Sequence, residues 1–328
     1  MLRVGLNPYG INYCVGIFVP AQNTPRANPR PLGLDGYVKL CEELGVTGIE
    51  LPDMLVAPLD ESACAVLRER LKKNFAWTVL SSGPPIYPID QLLGICKRLG
   101  IGTLRMGLTA VLCGGRGELG AQWLEIVRGA REYLKNAAAR AADQDVSLAI
   151  ENHQDFTSAE LMEMCDMAGA NVGVCMDTGN AFAVGEDPVA FARTVAPRIR
   201  HVHLKDYRAQ WTTEGYRLIR CAIGDGAVPL LEVAKTLTTG GKTLTASIEP
   251  GALLARHIKI LTPQWWQHYA PREARELAAG FAATGFSLQD HEDYRTPWEK
   301  GGGANEIIEY EMAQLHKSVA NLKALKLM

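Results

Sequence analysis

The chain has 328 residues, 47% of them hydrophobic and 21% charged, with a formal net charge of -2. This composition supports a large core and excludes a disordered chain. The near-neutral charge and the lack of a basic run argue against a nucleic-acid partner, and no stretch reaches the ~18 consecutive apolar residues that a membrane-spanning helix requires.

In chain order, β-rich runs are expected at residues 2–7, 46–51, 75–82, 102–108, 146–152, 171–177, 199–205 and 243–249. They read as nearly continuous apolar stretches, as parallel strands covered on both faces should. Helical patterns lie between them at Leu34–Leu44, Asp60–Asn74, Ile89–Leu99, Leu119–Asp143, Ser158–Ala168, Pro188–Val195 and Val228–Thr238. Several start after an acidic residue and stop at glycine, the usual boundary signals. Eight strands alternating with helices predict an α/β protein, a (β/α)8 TIM barrel forming a single domain over residues 1–328. A doubly wound sheet is the weaker alternative.

Two insertions interrupt the alternation. Residues 207–226 follow strand seven and carry a hairpin signal at Glu214–Gly215; residues 254–303 follow strand eight and hold three of the six tryptophans, Trp265, Trp266 and Trp298. These rings either line a pocket for a sugar ring or an aglycone, or pin the insertion to the barrel or to another subunit. The tail, residues 304–327, predicts a C-terminal helix with an apolar stripe at Ile307, Ile308, Met312, Leu315, Val319 and Leu322. That stripe needs a partner surface, so a homo-oligomer is expected unless the helix packs on its own barrel. The eight cysteines are scattered without a CxxC pair, and the N-terminal MLRVGLNPYG has no signal-type apolar run. Both features point to buried free thiols in a reducing compartment and hence a cytoplasmic protein.

In such a barrel, side chains at the C-terminal strand ends converge on one mouth. Four consecutive strands end in Glu151, Asp177, His203 and Glu249. Any one alone is as readily a helix cap, a salt-bridge partner or a satisfied core histidine. Together, three carboxylates converging on one cavity would repel each other unless a cation sat among them. The set is hard and oxygen-rich, which suits Mn²⁺, with Mg²⁺, Co²⁺ or Zn²⁺ as alternatives. Alternate residues on a strand face the same side, so His153 is expected at the mouth beside Glu151, with Asn152 turned away. An imidazole titrates near neutral pH and suits proton transfer. Its alternative role is to hydrogen-bond a ligand carboxylate. By the same rule His201, His203 and Lys205 share a face, with His201 deeper and Lys205 placed to hold a substrate oxygen or pair with Asp206 or Glu249. Glu50, Arg105 and Asn180 are further substrate-binding candidates, although Glu50 and Arg105 could pair with each other and Asn180 could cap a helix. The "GDG" at Gly224–Gly226 is read as a turn before a helix, with Arg220 a lone cation nearby.

The motifs "AIENH", "CMDTGN", "HVHLKD" and "SIEP" resemble the xylose isomerase-like barrel superfamily over about residues 1–253. It includes sugar epimerases and isomerases, inosose dehydratases and endonuclease IV. The resemblance implies a metal held by Glu151, Asp177, His203 and Glu249, with Glu151 and Glu249 exchanging a proton with the substrate carbon. It implies a sugar or glycoside substrate and an isomerase or epimerase acting through an enediolate. The alternative it implies is a lyase that eliminates a leaving group from a 3-keto sugar, as inosose dehydratases and C-glycoside deglycosidases do, the latter with a small second subunit. Where epimerases commonly carry Glu-Pro after strand five, this chain has Glu151-Asn152-His153. The extra ligands and basic face of endonuclease IV are not evident.

Overall fold

The computed structural model describes residues 1–18, 26–84, 87–285 and 293–328. Eight parallel strands close a barrel: β1 (Leu2–Leu6), β2 (Gly48–Pro52), β3 (Trp77–Ser82), β4 (Thr103–Met106), β5 (Ser147–Glu151), β6 (Val172–Asp177), β7 (Ile199–Leu204) and β10 (Leu244–Ile248). Closure runs through β1 and β10, with Leu2 opposite Leu244 and Leu6 opposite Ile248. Each strand forms where the sequence is apolar on both faces; all six residues of β6 are buried. Trp77 fills the space beside β2, and a Cβ at Gly48 would lie 2.0 Å from its ring, so only glycine fits there.

Local sequence sets the helix boundaries. Asp60 accepts from the Ala63 N–H at 2.8 Å and Asp187 from the Ala190 N–H at 2.7 Å, each satisfying a helix N-terminus. Thr157 and Glu160 form a capping box ahead of Ser158–Ala168, and Gly45 and Gly100 close helices in the left-handed conformation.

The hairpin expected at Glu214–Gly215 is β8 (Tyr207–Thr212) and β9 (Gly215–Arg220). Less expected is that the second insertion adds β11 (Arg256–Ile258) to β9, making a three-stranded antiparallel sheet. Gly215 sits at φ 149°, where a Cβ would meet the Ile258 carbonyl oxygen at 2.0 Å. The two insertions are therefore one structure, joined by main-chain pairing.

The C-terminal helix, Ala304–Ala324, covers its apolar stripe on its own chain. Leu315, Val319 and Leu322 join the main core, and Ile307 packs with Tyr13 and Leu253. The packing that called for a second copy is satisfied within the chain. Among the described residues no helix is long and apolar enough to cross a membrane.

Candidate metal centre

Strand register builds the centre. Asp177 on β6 lies opposite His203 on β7, and His203 lies opposite Ser247, two residues before Glu249. Glu151 ends β5. The structure brings Glu151, Asp177, His203 and Glu249 together, with one donor atom from each within 4.8 Å of the others. The first three are fully buried and Glu249 is 6% exposed.

Main-chain and side-chain contacts aim each donor. Asp177 Oδ1 accepts from the N–H groups of Gly179 (3.1 Å) and Asn180 (3.2 Å), leaving Oδ2 for the cavity side. Asn152 reaches across from the end of β5, accepting from the Asp177 N–H at 2.6 Å and donating to its carbonyl at 2.9 Å. It thus continues the β5–β6 pairing beyond the ladder, a role sequence reading missed. His203 turns Nε2 toward Glu50 (3.0 Å) and Nδ1 toward Glu151 Oε1 (3.3 Å) and Glu249 Oε2 (2.8 Å). The Glu50 contact fixes the ring so that Nδ1 is the donor atom for a metal.

Glu50 itself lies beneath the centre, not at the mouth. Its carboxylate contacts His203, His201 Nε2 at 3.3 Å and Ser247 Oγ at 2.9 Å. Glu50, His201 and His203 form a second compact group of potential ligands, but these atoms satisfy one another. His201 is a buried supporting residue, its Nδ1 bonded to Thr245 Oγ1 at 2.7 Å. Arg105 pairs with Glu151 rather than with Glu50 and also donates to the Ser82 carbonyl at 2.9 Å. Lys205 lies against Asp177 and 2.7 Å from Glu249 Oε1. Asn180 is buried, accepting from Gln154 at 3.2 Å. The "GDG" turn wraps the Asp206 carboxylate, which accepts from the Gly224, Gly226 and Val228 N–H groups.

The electrostatics follow from this packing. Burial raises the Asp177 pKa to about 7 against the pull of Lys205. Burial also raises Glu151 and Glu249, but Arg105 in the first case and Lys205 in the second, each with His203, outweigh it and hold both below the usual range. Burial would strip the Lys205 proton, yet Asp177 and Glu249 keep its pKa well above normal. Burial lowers His153, opposed by Glu151.

The residues fit a divalent metal ion. Four buried carboxylates, Glu50, Glu151, Asp177 and Glu249, face two permanent cations, Arg105 and Lys205. Burial lowers the His203 pKa, but Cys175, Glu50 and Glu249 outweigh it and hold it well above the usual value; the excess of negative charge thus favours a cation at this point, and a divalent ion would replace the His203 proton. Asp177 Oδ2 and Glu249 Oε2 make only close contacts there and no well-aligned hydrogen bond. Ligands of this kind, with oxygen and imidazole donors and no thiolate, suit a catalytic rather than a structural ion.

The centre opens into a cavity of about 230 Å³ lined by Tyr9, Arg105, Glu151, His153, Gln154, Lys205, Tyr207, Glu249 and Arg256, among others. His153 lies beyond β5. Its N–H bonds back to the Glu151 carbonyl at 3.0 Å, a tight turn that brings the ring to the cavity. Its Nδ1 has no hydrogen-bond partner. Tyr9, Tyr207 and Arg256 were not legible as lining residues: each comes from a loop or insertion whose course the strand pattern does not fix.

Residues 38–264 match the family model described as xylose isomerase-like TIM barrel. The chain is 37% identical over 173 residues to the rhizopine catabolism protein MocC of Rhizobium meliloti, covering 47% of this chain and 50% of that protein. It is 42% identical over 55 residues to inosose dehydratase 1 of Bacillus cereus, covering 16% of this chain and 18% of the dehydratase. The matched segments thus span half or less of these relatives. D-psicose 3-epimerase from Clostridium cellulolyticum H10, solved with D-tagatose, shares the fold at a TM-score of 0.53 and 14% identity, over 87% of this chain and 92% of that one. Closed barrel, mouth-end donor set and family match converge: the chain belongs to the xylose isomerase-like TIM-barrel family.

Proposed function

We propose that this protein is a divalent-metal-dependent sugar isomerase or epimerase, abstracting the proton on the carbon next to the carbonyl of a keto-sugar. The observation that carries the proposal is the four-residue donor set opening onto a small cavity where His153 and Lys205 also project. Mn²⁺ is the favoured ion, because the donors are three carboxylates and one imidazole. When bound, the ion supplies Lewis acidity to adjacent carbonyl and hydroxyl oxygens. Glu151, Asp177, His203 and Glu249 hold it. Lys205 donates to a substrate oxygen and offsets charge that develops there. His153, whose ring borders the cavity, takes the α-proton. Glu249 lies on the cavity wall and serves as a second proton carrier that returns a proton in epimerisation.

A second reading is a lyase: the same enolate expels a group from the neighbouring carbon. The matches to inosose dehydratases favour it. Free ketoses and methyl 3-keto-glucoside, incubated in D₂O with Mn²⁺-loaded protein and followed by NMR, separate the two by product. Deuterium incorporation without elimination supports the isomerase or epimerase. The variant His153→Ala should keep its metal and lose roughly 10²–10⁴ in kcat. Deuterium exchange at the wild-type rate in that variant moves the base to Glu249, and no exchange with any keto-sugar sinks the proposal.

A further inference from the structure

The turn at Gly224–Gly226 and the ring of Tyr207 belong to one construction at the barrel mouth. Tyr207 opens β8, just beyond the end of β7. Its main chain is held from both sides: the N–H donates to Asp206 Oδ1 at 2.9 Å, and the carbonyl accepts from the Ala227 N–H at 2.9 Å. The same Asp206 carboxylate gathers the N–H groups of Gly224, Gly226 and Val228, so the turn and the start of β8 are locked together. Gly226 has to be glycine, because a Cβ there would lie 2.2 Å from Asp206 Oδ1 and 2.6 Å from the Tyr207 carbonyl oxygen.

The side chain is held as tightly. A Cβ at Gly179 would stand 2.8 Å from Tyr207 Cδ2, on one edge of the ring, and a Cβ at Gly251 2.5 Å from Cε1, on the other. The ring is thus wedged between the segments that follow β6 and β10. The Cβ at Gly179 would also lie 3.2 Å from Lys205 Cγ, so the ring and the lysine stem run side by side. Tyr207 is 2% exposed and lines the metal-site cavity. Tyr37 and Tyr216, equally buried, donate to the Leu6 and Phe182 carbonyls at 2.6 Å each. A buried tyrosine hydroxyl ordinarily finds such a partner. No described residue hydrogen-bonds the Tyr207 hydroxyl, and its oxygen is not sealed within the protein. The charges that bear on it are those of Lys205, Asp177, Arg256 and Glu249, all at the mouth.

We propose that Tyr207 is a substrate-binding residue whose hydroxyl donates to a sugar hydroxyl that does not touch the metal, so that the site selects sugars carrying that hydroxyl over their deoxy forms. The proposal deepens the function proposed above and rests on it for seating the sugar at the metal. A phenol ordinarily titrates near 10, so at neutral pH the oxygen keeps its proton and donates. Lys205 already spends its ammonium on Asp177 and Glu249, which leaves Tyr207 as a neutral donor beside it. A cavity of about 230 Å³ leaves little room for water next to a bound sugar. A sugar without the matching hydroxyl therefore strands the phenol unpaired.

The test is a binding cycle, independent of turnover. Methyl 3-keto-glucoside and its 2-deoxy, 4-deoxy and 6-deoxy forms are titrated into Mn²⁺-loaded protein, and binding is read from the relaxation that the ion imposes on the sugar protons. Wild type should bind the parent sugar about tenfold more tightly than the deoxy form that lacks the Tyr207 partner. Tyr207→Phe, which keeps the wedged ring, should bind the parent about tenfold more weakly than wild type and no better than that deoxy form. Loss of a metal-bound hydroxyl weakens both proteins equally, so it does not imitate this coupling. Mn²⁺ affinity, read by calorimetry, should be the same in both proteins. Equal affinity of wild type for all four sugars overturns the proposal without need of the variant. So do unchanged affinity of Tyr207→Phe for the parent, discrimination by the variant equal to that of wild type, weaker Mn²⁺ binding by the variant, or no binding of the parent by wild type. Deuterium exchange into the parent sugar judges the chemistry separately. A coupled hydroxyl without exchange removes the proposed reaction and leaves Tyr207 assigned, whereas exchange without a coupled hydroxyl removes only the role of Tyr207.

Discussion

Asp155 gives a prediction whose size can be worked from the structure. It is fully buried, with Thr109 Oγ1 2.8 Å from Oδ2 and the Phe156 N–H donating to Oδ1 at 2.9 Å. Burial raises its pKa from 3.8 to about 7 against these hydrogen bonds and Arg116. The folded state therefore holds this proton more tightly than the unfolded chain. The sign follows: no stability is lost below the unfolded pKa, and stability falls as pH rises through the window from 3.8 to about 7. A gap of roughly three units corresponds to about 4 kcal/mol above the window, of which about 2–3 kcal/mol is lost between about pH 5 and about pH 8. Asp155→Asn reproduces the shape of the protonated acid, with its amide donating to Thr109 and its oxygen accepting from Phe156. The variant should gain on wild type by that 2–3 kcal/mol between the two pH values. Urea unfolding of both proteins at each pH measures the difference, and other titrating groups cancel in the comparison. A stability difference that is the same at both pH values refutes the reasoning.

Three further outcomes follow from the contacts described. Asp177→Ala should abolish stoichiometric binding of a divalent ion, read by elemental analysis after dialysis, while chelation of wild type should abolish deuterium exchange. Asn152→Ala removes both hydrogen bonds that Asn152 makes with the Asp177 main chain; metal affinity should fall about 10–100-fold by calorimetric titration, the usual effect of losing a group that orients a ligand. Arg220 donates to the Gly251 carbonyl at 2.6 Å and the Gly10 carbonyl at 2.8 Å and lies 3.8 Å from Glu311, all fully or nearly fully buried. Arg220→Met strands the Glu311 carboxylate and should cost about 3–5 kcal/mol in urea unfolding, partly recovered by adding Glu311→Gln.

How much was legible in the sequence varied with how local the signal is. The strand ends were readable because parallel strands in a barrel are apolar along their whole length, so a polar residue that stops the run stands out. That signal picked out Glu151, Asp177, His203 and Glu249 as a set, and the structure places them within reach of one another. Period-two alternation also placed His201 below His203. It also expected His153 beside Glu151 at the mouth, and both line the cavity, although the pleat no longer applies beyond the last ladder residue. There the chain turns at Asn152, and the turn, not the pleat, decides where His153 and Asn152 point. Glu50 illustrates a different limit. Its place at the end of strand two matched a mouth position, but its partner is the far nitrogen of His203, and only the closed barrel brings β2 next to that ring. Arg256 was illegible because its position depends on a strand pairing between two insertions.

The three residues after the apolar run of β5 divide one task by direction. Glu151 points into the donor set and is held there by Arg105. Asn152 points sideways and locks the neighbouring strand end, so that Asp177 arrives in register. His153 turns back and lines the cavity with its ring. A proline after Glu151 could not make the Asn152 bonds, because it has neither a side-chain donor nor a side-chain acceptor. The Glu-Asn-His sequence therefore joins metal-site geometry to the placement of an imidazole within three residues. It also places Gln154, the next residue, to hold the wall of an adjoining apolar cavity through Cys113 and Gly114. One short segment thus links the donor set to the adjoining apolar space, and a change in its backbone should register in metal affinity.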